Sequence, residues 1–197
     1  MAGIAVANIV QLGDSATATQ NFSLQTNVDG TSKLARGNAG ATSQDILTVD
    51  ANGRIAMPQT VIAFSAYQST LQTGIPNATF TKIQLQTKEY DTGSFFDATT
   101  NFRFQPTVPG YYQINGSVYM TGVAGQGATI YKNGTEYKRG TLISNGNAYG
   151  SPVCSLVYLN GSSDYVELYC YQSSGGTVSA ATGIQYNFMN GILIAKA

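Results

Sequence analysis

Residues 102–112 read FRFQPTVPGYY, and this stretch decides the fold: a Phe-x-Phe pair runs into Pro-Gly-Tyr-Tyr. Before it lies a short apolar segment, AFSA at residues 63–66, and the chain closes on a glycine-centred apolar segment, FMNGILI at residues 188–194. Strand-like segments recur between these points every ~8–12 residues, with turn residues between them. No segment carries a sustained helical periodicity. The pattern therefore predicts an all-β sandwich or barrel.

Asn-Gly pairs supply much of the turn chemistry, because both residues adopt the positive φ angles of tight hairpins at low cost. Asn133-Gly134 separates two strand-like segments and predicts a hairpin. Asn160-Gly161 predicts the start of a second hairpin turn. Gly116 and Gly191 lie inside apolar runs, where glycine more often marks a bulge or a close approach of another segment.

Composition limits the partners of the chain. Of its 197 residues only 10% are charged, and ten basic residues balance ten acidic ones. Soluble domains usually carry about 25% charged residues, and a net charge near zero favours association. The sequence has no basic patch, so we expect no nucleic-acid partner. No apolar run reaches the ~18 residues that a membrane span requires, so we expect no membrane insertion. Residues 4–12 are apolar but lack a preceding Lys or Arg, so we expect no signal peptide and synthesis in the cytoplasm.

A boundary is predicted near residues 57–59. Residues 1–60 contain one aromatic side chain, Phe22, whereas all thirteen tyrosines follow the boundary. The N-terminal region still shows two hairpin patterns, and isolated hairpins are marginally stable. We therefore expect these hairpins to need neighbouring chains or a docking partner. Their strands are predicted at residues 21–26 with 31–36, and at residues 45–49 with 54–57.

The segments AFSA, FRFQPTVPGYY and FMNGILI, in this order, resemble the globular head of the C1q/TNF superfamily over residues ~61–197. The resemblance implies a jelly-roll sandwich that assembles as a homotrimer and works by binding rather than by catalysis. A trimer would also hide the apolar surface of a chain with so little charge. The resemblance implies a core and threefold interface built from Phe64, Phe104, Tyr111, Tyr112, Ile114, Phe188, Ile192 and Ile194.

The N-terminal region carries a second, looser resemblance. FSLQT at residues 22–26, KLARGNAG at residues 33–40 and ILTVD at residues 46–50 are similar to N-terminal regions of tailed-bacteriophage fibre and appendage proteins. Neither a collagen-like Gly-X-Y repeat nor a sustained heptad is present. The resemblance implies that residues 1–60 attach the chain to other virion proteins, a capsid or a fibre stem, and that the protein lies on the virion surface.

Catalytic chemistry has little support in the sequence. The chain has no histidine, which removes histidine-based triads and most zinc sites. We therefore predict no enzymatic activity, no catalytic residue, no cofactor and no bound metal. A glycosidase would need two carboxylates in a cleft, but the available acids are expected to be solvated loop charges. As an alternative, Asp91 and Asp97, which flank residues 92–96, could together bind a cation. Asp164 is expected to serve a turn. The carboxylates considered are Glu89, Asp91, Asp97, Glu136, Asp164 and Glu167.

The two cysteines, Cys154 and Cys170, are predicted on the two strands of the hairpin around Asn160-Gly161. Because side chains alternate along a strand, Cys170 should face inward with Val166 and Leu168, and Cys154 outward. A disulfide would then need a bulge or a register slip. Two free, partly buried thiols are favoured, and the bridged alternative stays open.

Tyrosines provide the candidate ligand face. Tyr165, Tyr169 and Tyr171 alternate with the inward-facing set and should line the outer face of one strand. Such amphipathic rings suit protein interfaces and the stacking of sugar rings. Packing of these rings between the subunits of a trimer is the favoured interpretation, because the resemblance already implies a large intersubunit surface, and the ligand face is the alternative. Four further tyrosines are expected nearby: Tyr131, Tyr137, Tyr149 and Tyr158.

Together these features predict a non-enzymatic, trimeric virion surface protein, a phage fibre, head appendage or capsid decoration. Its C1q-like head would be displayed for host-surface attachment, and three heads on one stem would convert weak contacts into avidity. The predicted partners are two further copies of the chain, other virion proteins and a host glycan or protein. Two alternatives remain: a tail-fibre protein that recognises a specific cell-surface glycan, and a bacterial C1q-like surface adhesin.

Overall fold

The computed structural model describes residues 9–12, 22–26, 30–36, 44–56, 61–144 and 150–197. Every regular element in these ranges is a β-strand, which confirms the all-β prediction. No helix in them has the length and apolar character that crossing a bilayer requires. The chain divides into two compact units, Met1–Thr60 and Val61–Ala197.

The N-terminal unit contains one antiparallel sheet whose strands lie in chain order. They are Ile9–Leu12 (β1), Phe22–Thr26 (β2), Ser32–Arg36 (β3), Gln44–Val49 (β4) and Ile55–Ala56 (β5). Both predicted hairpins form, since β2 pairs with β3 and β4 pairs with β5. β3 also pairs with β4, so the two hairpins join into one sheet. Each hairpin was expected to need a neighbouring chain or a docking partner, but here each one pairs with the other hairpin of the same chain. The Asp50 carboxylate fixes the second turn by accepting the N–H groups of Asn52 and Arg54 at 2.9 and 2.8 Å.

The C-terminal unit is built on two antiparallel sheets. The first, called the front sheet, has the strand order β15-β12-β18-β6-β9. Its strands are Ala63–Tyr67 (β6), Thr87–Asp91 (β9), Gly110–Val118 (β12), Ser151–Leu159 (β15) and Phe188–Lys196 (β18). Neighbouring strands are far apart in sequence, so long-range pairing rather than hairpins forms this sheet.

The second sheet, called the back sheet, has the order β10-β11-β16-β13-β14, and β8 also pairs with β16. A separate pair joins β7 and β17. The remaining strands are Gln72–Ile75 (β7), Thr81–Lys82 (β8), Phe96–Asp97 (β10), Arg103–Phe104 (β11), Gln126–Lys132 (β13), Thr135–Arg139 (β14), Val166–Gln172 (β16) and Val178–Ala180 (β17).

The core lies between the two sheets, and residues 102–112 reach both of them. Phe104 belongs to the back sheet and stacks on Phe64 of the front sheet, with ring centroids 4.2 Å apart. Tyr112 of the front sheet meets Phe104 edge to face at 5.5 Å. The buried Tyr112 hydroxyl donates to the Val108 carbonyl oxygen at 2.7 Å, which satisfies the phenol inside the core.

Two strand glycines allow this close packing. A Cβ atom at Gly191 would lie 2.7 Å from Ile114 Cδ1 and 2.8 Å from Phe64 Cε1. A Cβ atom at Gly116 would lie 2.8 Å from Leu168 Cδ1 of the back sheet. Both glycines lie inside strands, and the predicted close approach is confirmed at each.

One of the two predicted C-terminal hairpins is correct. β13 and β14 pair around Asn133-Gly134, whose φ angles are 53° and 76°. The hairpin predicted around Asn160-Gly161 is wrong: β15 pairs with β12 in the front sheet, whereas β16 pairs with β13 in the back sheet. The turn chemistry marks a reversal but does not determine which strands pair.

The corrected strand pairing also places the two cysteines on different sheets. Cys154 is exposed on the front sheet and Cys170 is buried on the back sheet, and both are free thiols. The predicted inward and outward directions are confirmed, as is the preference for free thiols. The reason differs from the predicted one, because the two residues lie on strands of different sheets. The predicted partial burial is wrong, since Cys154 is exposed and Cys170 is fully buried.

Candidate functional site

The outward face of the back sheet, called the aromatic surface, carries the tyrosines of β16. Val166, Leu168 and Cys170 are fully buried, while Tyr169 and Tyr171 alternate with them on the other face. Tyr165 is half-buried and directly precedes the strand. The predicted direction of these side chains is confirmed. Their assignment as a ligand face stays a prediction.

Ring contacts make the aromatic surface a fixed platform. Tyr131 stacks on Tyr169 with centroids 3.7 Å apart and planes inclined by 15°. Phe80 lies 5.2 Å from Tyr171 and 6.0 Å from Tyr131. Burial raises the pKa of Tyr169 to about 12, so its hydroxyl stays protonated near neutral pH. The platform therefore presents uncharged rings with hydroxyl groups.

Phe80 was not identified from the sequence. It joins the surface because β8 pairs with β16, where Lys82 lies opposite Tyr169 and Thr81 opposite Cys170. The same register continued by one residue brings Phe80 beside Tyr171. No local pattern signals this pairing.

Of the four further tyrosines expected near the aromatic surface, the structure confirms some and not others. Tyr131 is part of the aromatic surface, and Tyr137 lies exposed on the neighbouring strand β14. Tyr158 lies on the front sheet instead, 5.4 Å from Tyr111. Tyr149 falls outside the described residues.

Charged groups on the aromatic surface are paired. Glu167 forms an ion pair with Lys82, and only 3% of the residue is exposed. Glu167 was expected to be a solvated loop charge. This expectation is wrong, because Glu167 lies within strand β16 and is buried. Arg103 lies over the Tyr165 ring at 4.1 Å. Arg139 binds Glu136 through two hydrogen bonds of 2.8 Å each.

A cavity of about 220 Å³ opens at one end of the aromatic surface. Thr129 lines the cavity, and its hydroxyl is buried without a hydrogen-bond partner among the described residues. Both cavity and hydroxyl escaped sequence reasoning, because each depends on pairing among three strands. The cavity is lined by residues that include Phe80, Gly127, Thr129, Arg139, Leu142 and Tyr171.

The outward face of the front sheet, called the apolar face, is the second candidate surface. The predicted core and interface set divides here. Phe64, Phe104, Tyr112 and Ile114 are buried in the core, whereas Phe188 is half-buried. The other three point outward, with exposures of 46% for Tyr111, 39% for Ile192 and 61% for Ile194.

Strand pairing extends this apolar face beyond the predicted residues. Leu156 is 51% exposed and lies opposite Gln113. Tyr158 and Tyr90 are also exposed on the face. The alternation within residues 151–159 carried a signal for Leu156, since Val153, Val157 and Leu159 are the buried set.

A band of polar groups crosses the apolar face. The Asn115 side-chain amide donates to Asn190 Oδ1 at 3.0 Å, and the Gln113 amide donates to Asn115 Oδ1 at 3.1 Å. The Ser65 hydroxyl donates to Glu89 Oε2 at 2.6 Å. Cys154 lies opposite Asn115 in the strand register.

The carboxylates considered for catalysis or cation binding have local partners. Asp97 accepts the N–H groups of Thr99 and Thr100 at 2.9 and 3.0 Å. These hydrogen bonds hold the pKa of the Asp97 carboxyl well below its ordinary value, and the bond from Thr100 has the largest effect. Asp91 accepts the N–H groups of Phe95 and Phe96 at 3.0 and 2.9 Å, and its side chain is only 3% exposed, so the expectation of a solvated charge is wrong for Asp91 as well. The described residues contain no cluster of three or more acidic or thiol side chains that could hold a metal ion.

Asp164 serves the turn, as predicted. It accepts the Asn133 side-chain amide at 2.8 Å and the Asn160 N–H at 3.1 Å. Lys132 Nζ lies 2.9 Å from its carboxylate. Burial alone would raise the pKa of Asp164, but hydrogen bonds from Asn133 and Lys132 outweigh it and lower the pKa. The loop after β15 is thereby tied to the β13–β14 turn.

Comparison with known proteins identifies the fold. No protein-family model matches the sequence, and no curated protein matches it significantly. Among solved structures, Eiger TNF from S. frugiperda aligns with a TM-score of 0.51 and 12% identity, over 71% of this chain and 96% of that one. Murine APRIL at pH 5.0 aligns with a TM-score of 0.53 and 10% identity, over 68% and 99%.

A third solved structure comes from a virus. PRD1 vertex protein P5 aligns with a TM-score of 0.50 and 16% identity, over 69% of this chain and 99% of that chain. These similarities confirm a TNF-like jelly roll. At such identities they establish the fold alone.

Proposed function

We propose that this chain is a non-enzymatic surface protein of a bacteriophage virion, in a fibre, a head appendage or a capsid decoration. It assembles as a homotrimer through the apolar face and displays its C-terminal head for attachment to the host surface. Residues 1–60 bind other virion proteins. The fold shared with PRD1 vertex protein P5 supports a virion setting.

The apolar face is the observation that carries the proposal. Tyr111, Leu156 and Ile194 each expose between 46% and 61% of their area on one sheet face. Large exposed apolar patches mark interaction sites in soluble proteins. A second and third copy of the same chain would remove this surface from water, and obligate interfaces of this kind resemble a domain core cut in half.

Light scattering of the full chain tests the assembly. The wild type should have three times the chain mass. Leu156→Lys places a charge in the proposed interface and should yield monomers, because burying an unpaired ammonium is costly. Leu71→Lys is the matched control, since Leu71 is 55% exposed but lies next to β7, outside the front sheet. A monomeric wild type, or equal masses for the two variants, would refute this interface.

The aromatic surface favours a receptor-binding function as the second candidate. Its rings lie on the back sheet, so assembly through the front sheet leaves them available. If it binds a host receptor, the double variant Tyr169→Ala/Tyr171→Ala should lose binding of the purified protein to host cells and keep the wild-type mass. Cell binding that survives the double change would reject this surface as the receptor site.

A further inference from the structure

The cavity on the aromatic surface combines features of a ligand site. Its walls carry two aromatic rings, a guanidinium group and a buried hydroxyl, from Phe80, Tyr171, Arg139 and Thr129. We infer that the cavity binds a single neutral sugar residue. This inference deepens the proposed attachment function and rests on it for the source of the sugar, a polysaccharide of the host surface.

The two rings suit the apolar face of a sugar. The Phe80 and Tyr171 rings are 5.2 Å apart and inclined by 46°, so they form two walls of a wedge rather than a closed stack. Aromatic faces are partly negative and attract the C–H groups of a pyranose ring. Gly127 lies opposite Tyr171 in the strand register and lines the cavity without a side chain; a Cβ atom there would lie 3.5 Å from Leu142 Cδ1, on the cavity wall.

The charge of the cavity is already balanced. Arg139 lies over Phe80 at 5.0 Å and binds both carboxylate oxygens of Glu136 at 2.8 Å. An anionic ligand would meet the Glu136 carboxylate as well as the guanidinium. The pair uses two of the five N–H donors of the guanidinium, and the others can donate to the hydroxyl oxygens of a neutral ligand.

Thr129 distinguishes a sugar from a purely apolar ligand. In the strand register it lies between Arg139 and Tyr169, and its hydroxyl has no hydrogen-bond partner among the residues described. A buried polar group without a partner destabilises the fold, and each such group calls for an explanation. An apolar ligand would leave the hydroxyl unpaired, whereas a rotation of the Thr129 side chain toward the cavity would let a sugar hydroxyl pair with it.

The size of the cavity limits the ligand to one ring. At about 220 Å³ it is smaller than the ~300–1,000 Å³ sites that hold drug-sized molecules. It has room for roughly seven water molecules at ~30 Å³ each. A single bound sugar would have an affinity on the order of 1 mM, which several heads on one particle would raise by avidity.

The test uses the full chain and saturation-transfer NMR. The probes are the methyl glycosides of glucose, galactose and mannose as neutral sugars and glucuronate as an anion, each up to about 20 mM, well above the expected dissociation constant. Toluene, the apolar ring, is used up to its solubility in water. At least one neutral glycoside should receive saturable transfer from the aromatic protons. Gly127→Val, which adds a side chain to the cavity wall beside Leu142, and Tyr171→Ala, which removes one wall, should abolish it. Leu71→Ala, which truncates an exposed side chain next to β7 and outside both sheets, should leave it unchanged.

Thr129→Val separates binding from folding. Because the hydroxyl lacks a partner, its replacement by a methyl group should leave the melting temperature equal or higher. The same change should weaken binding of the neutral glycoside about five- to tenfold, the loss of one hydrogen bond. A structural role alone would not move these two measurements in opposite directions.

Several results would overturn the inference. They are the absence of saturable transfer to every neutral glycoside, binding of glucuronate or toluene only, and binding unaffected by both Gly127→Val and Thr129→Val. The chain mass is measured on the same samples. A monomer that binds the sugar refutes the trimer and supports the site, whereas a trimer that binds none refutes the site and leaves the assembly.

Discussion

At the scale of single residues, acidic side chains act here as organisers of turns. The Asp97 carboxylate collects the N–H groups of Thr99, Thr100 and Asn101 and the Asn101 side-chain amide at 2.7 to 3.1 Å. A charged acceptor makes these hydrogen bonds stronger than those of a neutral amide. The Asp97 carboxylate, considered from the sequence as one of two cation ligands, thus stabilises the loop after β10.

Asp97→Asn should destabilise the fold in a pH-dependent manner. The folded-state pKa of Asp97 is lowered, so its carboxylate stabilises the fold above the unfolded value of about 3.9. This stabilisation is lost as the pH falls through the folded-state pKa. We expect a loss of about 1 kcal/mol at neutral pH. Urea unfolding at about pH 7 and about pH 3 should show a difference from wild type that shrinks in acid; a difference independent of pH would contradict this role.

Gly191→Ala should be costly because its Cβ atom would meet Ile114 and Phe64 at 2.7 and 2.8 Å in the core. Overpacking of this kind costs about 1–3 kcal/mol in the free energy of unfolding. Gly176→Ala is the matched control, since a Cβ atom there meets nothing within 4 Å. Chemical denaturation should rank the two variants clearly apart, and equal stabilities would show that the core yields at this point.

At the scale of elements, the β13–β14 turn and the loop between β15 and β16 are held together by side-chain hydrogen bonds and an ion pair. The Asn133 side chain accepts the Tyr165 N–H at 3.0 Å and donates to Asp164 at 2.8 Å. Lys132, at the end of β13, closes the arrangement through its ion pair with Asp164. The β13–β14 hairpin turn is therefore anchored to the loop that carries the chain from the front sheet to the back sheet.

Asp164→Ala should destabilise the C-terminal unit by about 2 kcal/mol, because it leaves several donors without an acceptor. Glu136→Ala removes an exposed ion pair with Arg139 and should cost less than about 1 kcal/mol. The two variants delete one carboxylate each and differ in burial, since Asp164 is 8% exposed. Equilibrium unfolding in urea measures both; a larger cost for Glu136→Ala would mean that the anchoring is weak.

At the scale of the whole molecule, the two cysteines report on different events. Cys154 is exposed on the apolar face, whereas Cys170 is buried and burial raises the pKa of its thiol to about 12. In the proposed trimer the apolar face is covered. The chemistry of one thiol therefore reports on assembly and that of the other on unfolding.

Iodoacetamide should label Cys154 slowly in the assembled wild type and rapidly in the Leu156→Lys variant. Cys170 should react in neither until the protein unfolds, because only the thiolate is nucleophilic. Mass spectrometry of the labelled peptides distinguishes the two sites. Rapid labelling of Cys154 in a confirmed trimer would place the subunit contact on another surface.

The features that sequence reasoning predicted correctly are local ones. Alternation along residues 166–171 gave the inward and outward directions of Cys170 and Tyr169, because a strand has a side-chain period of two. Asn133-Gly134 predicted its hairpin, and Asp164 its turn, since both depend on residues close in the chain. The segments around residues 102–112 were enough to indicate the jelly-roll head.

Only the tertiary structure decided the features that depend on pairing between distant strands. It placed β15 and β16 in different sheets, contrary to the predicted hairpin, because a turn reverses the chain without selecting its partner. It brought Phe80 to Tyr171 and left the Thr129 hydroxyl beside a cavity without a partner. Local sequence determines which side of a strand a residue occupies, but its neighbours across the sheet come from contacts between segments far apart in the chain.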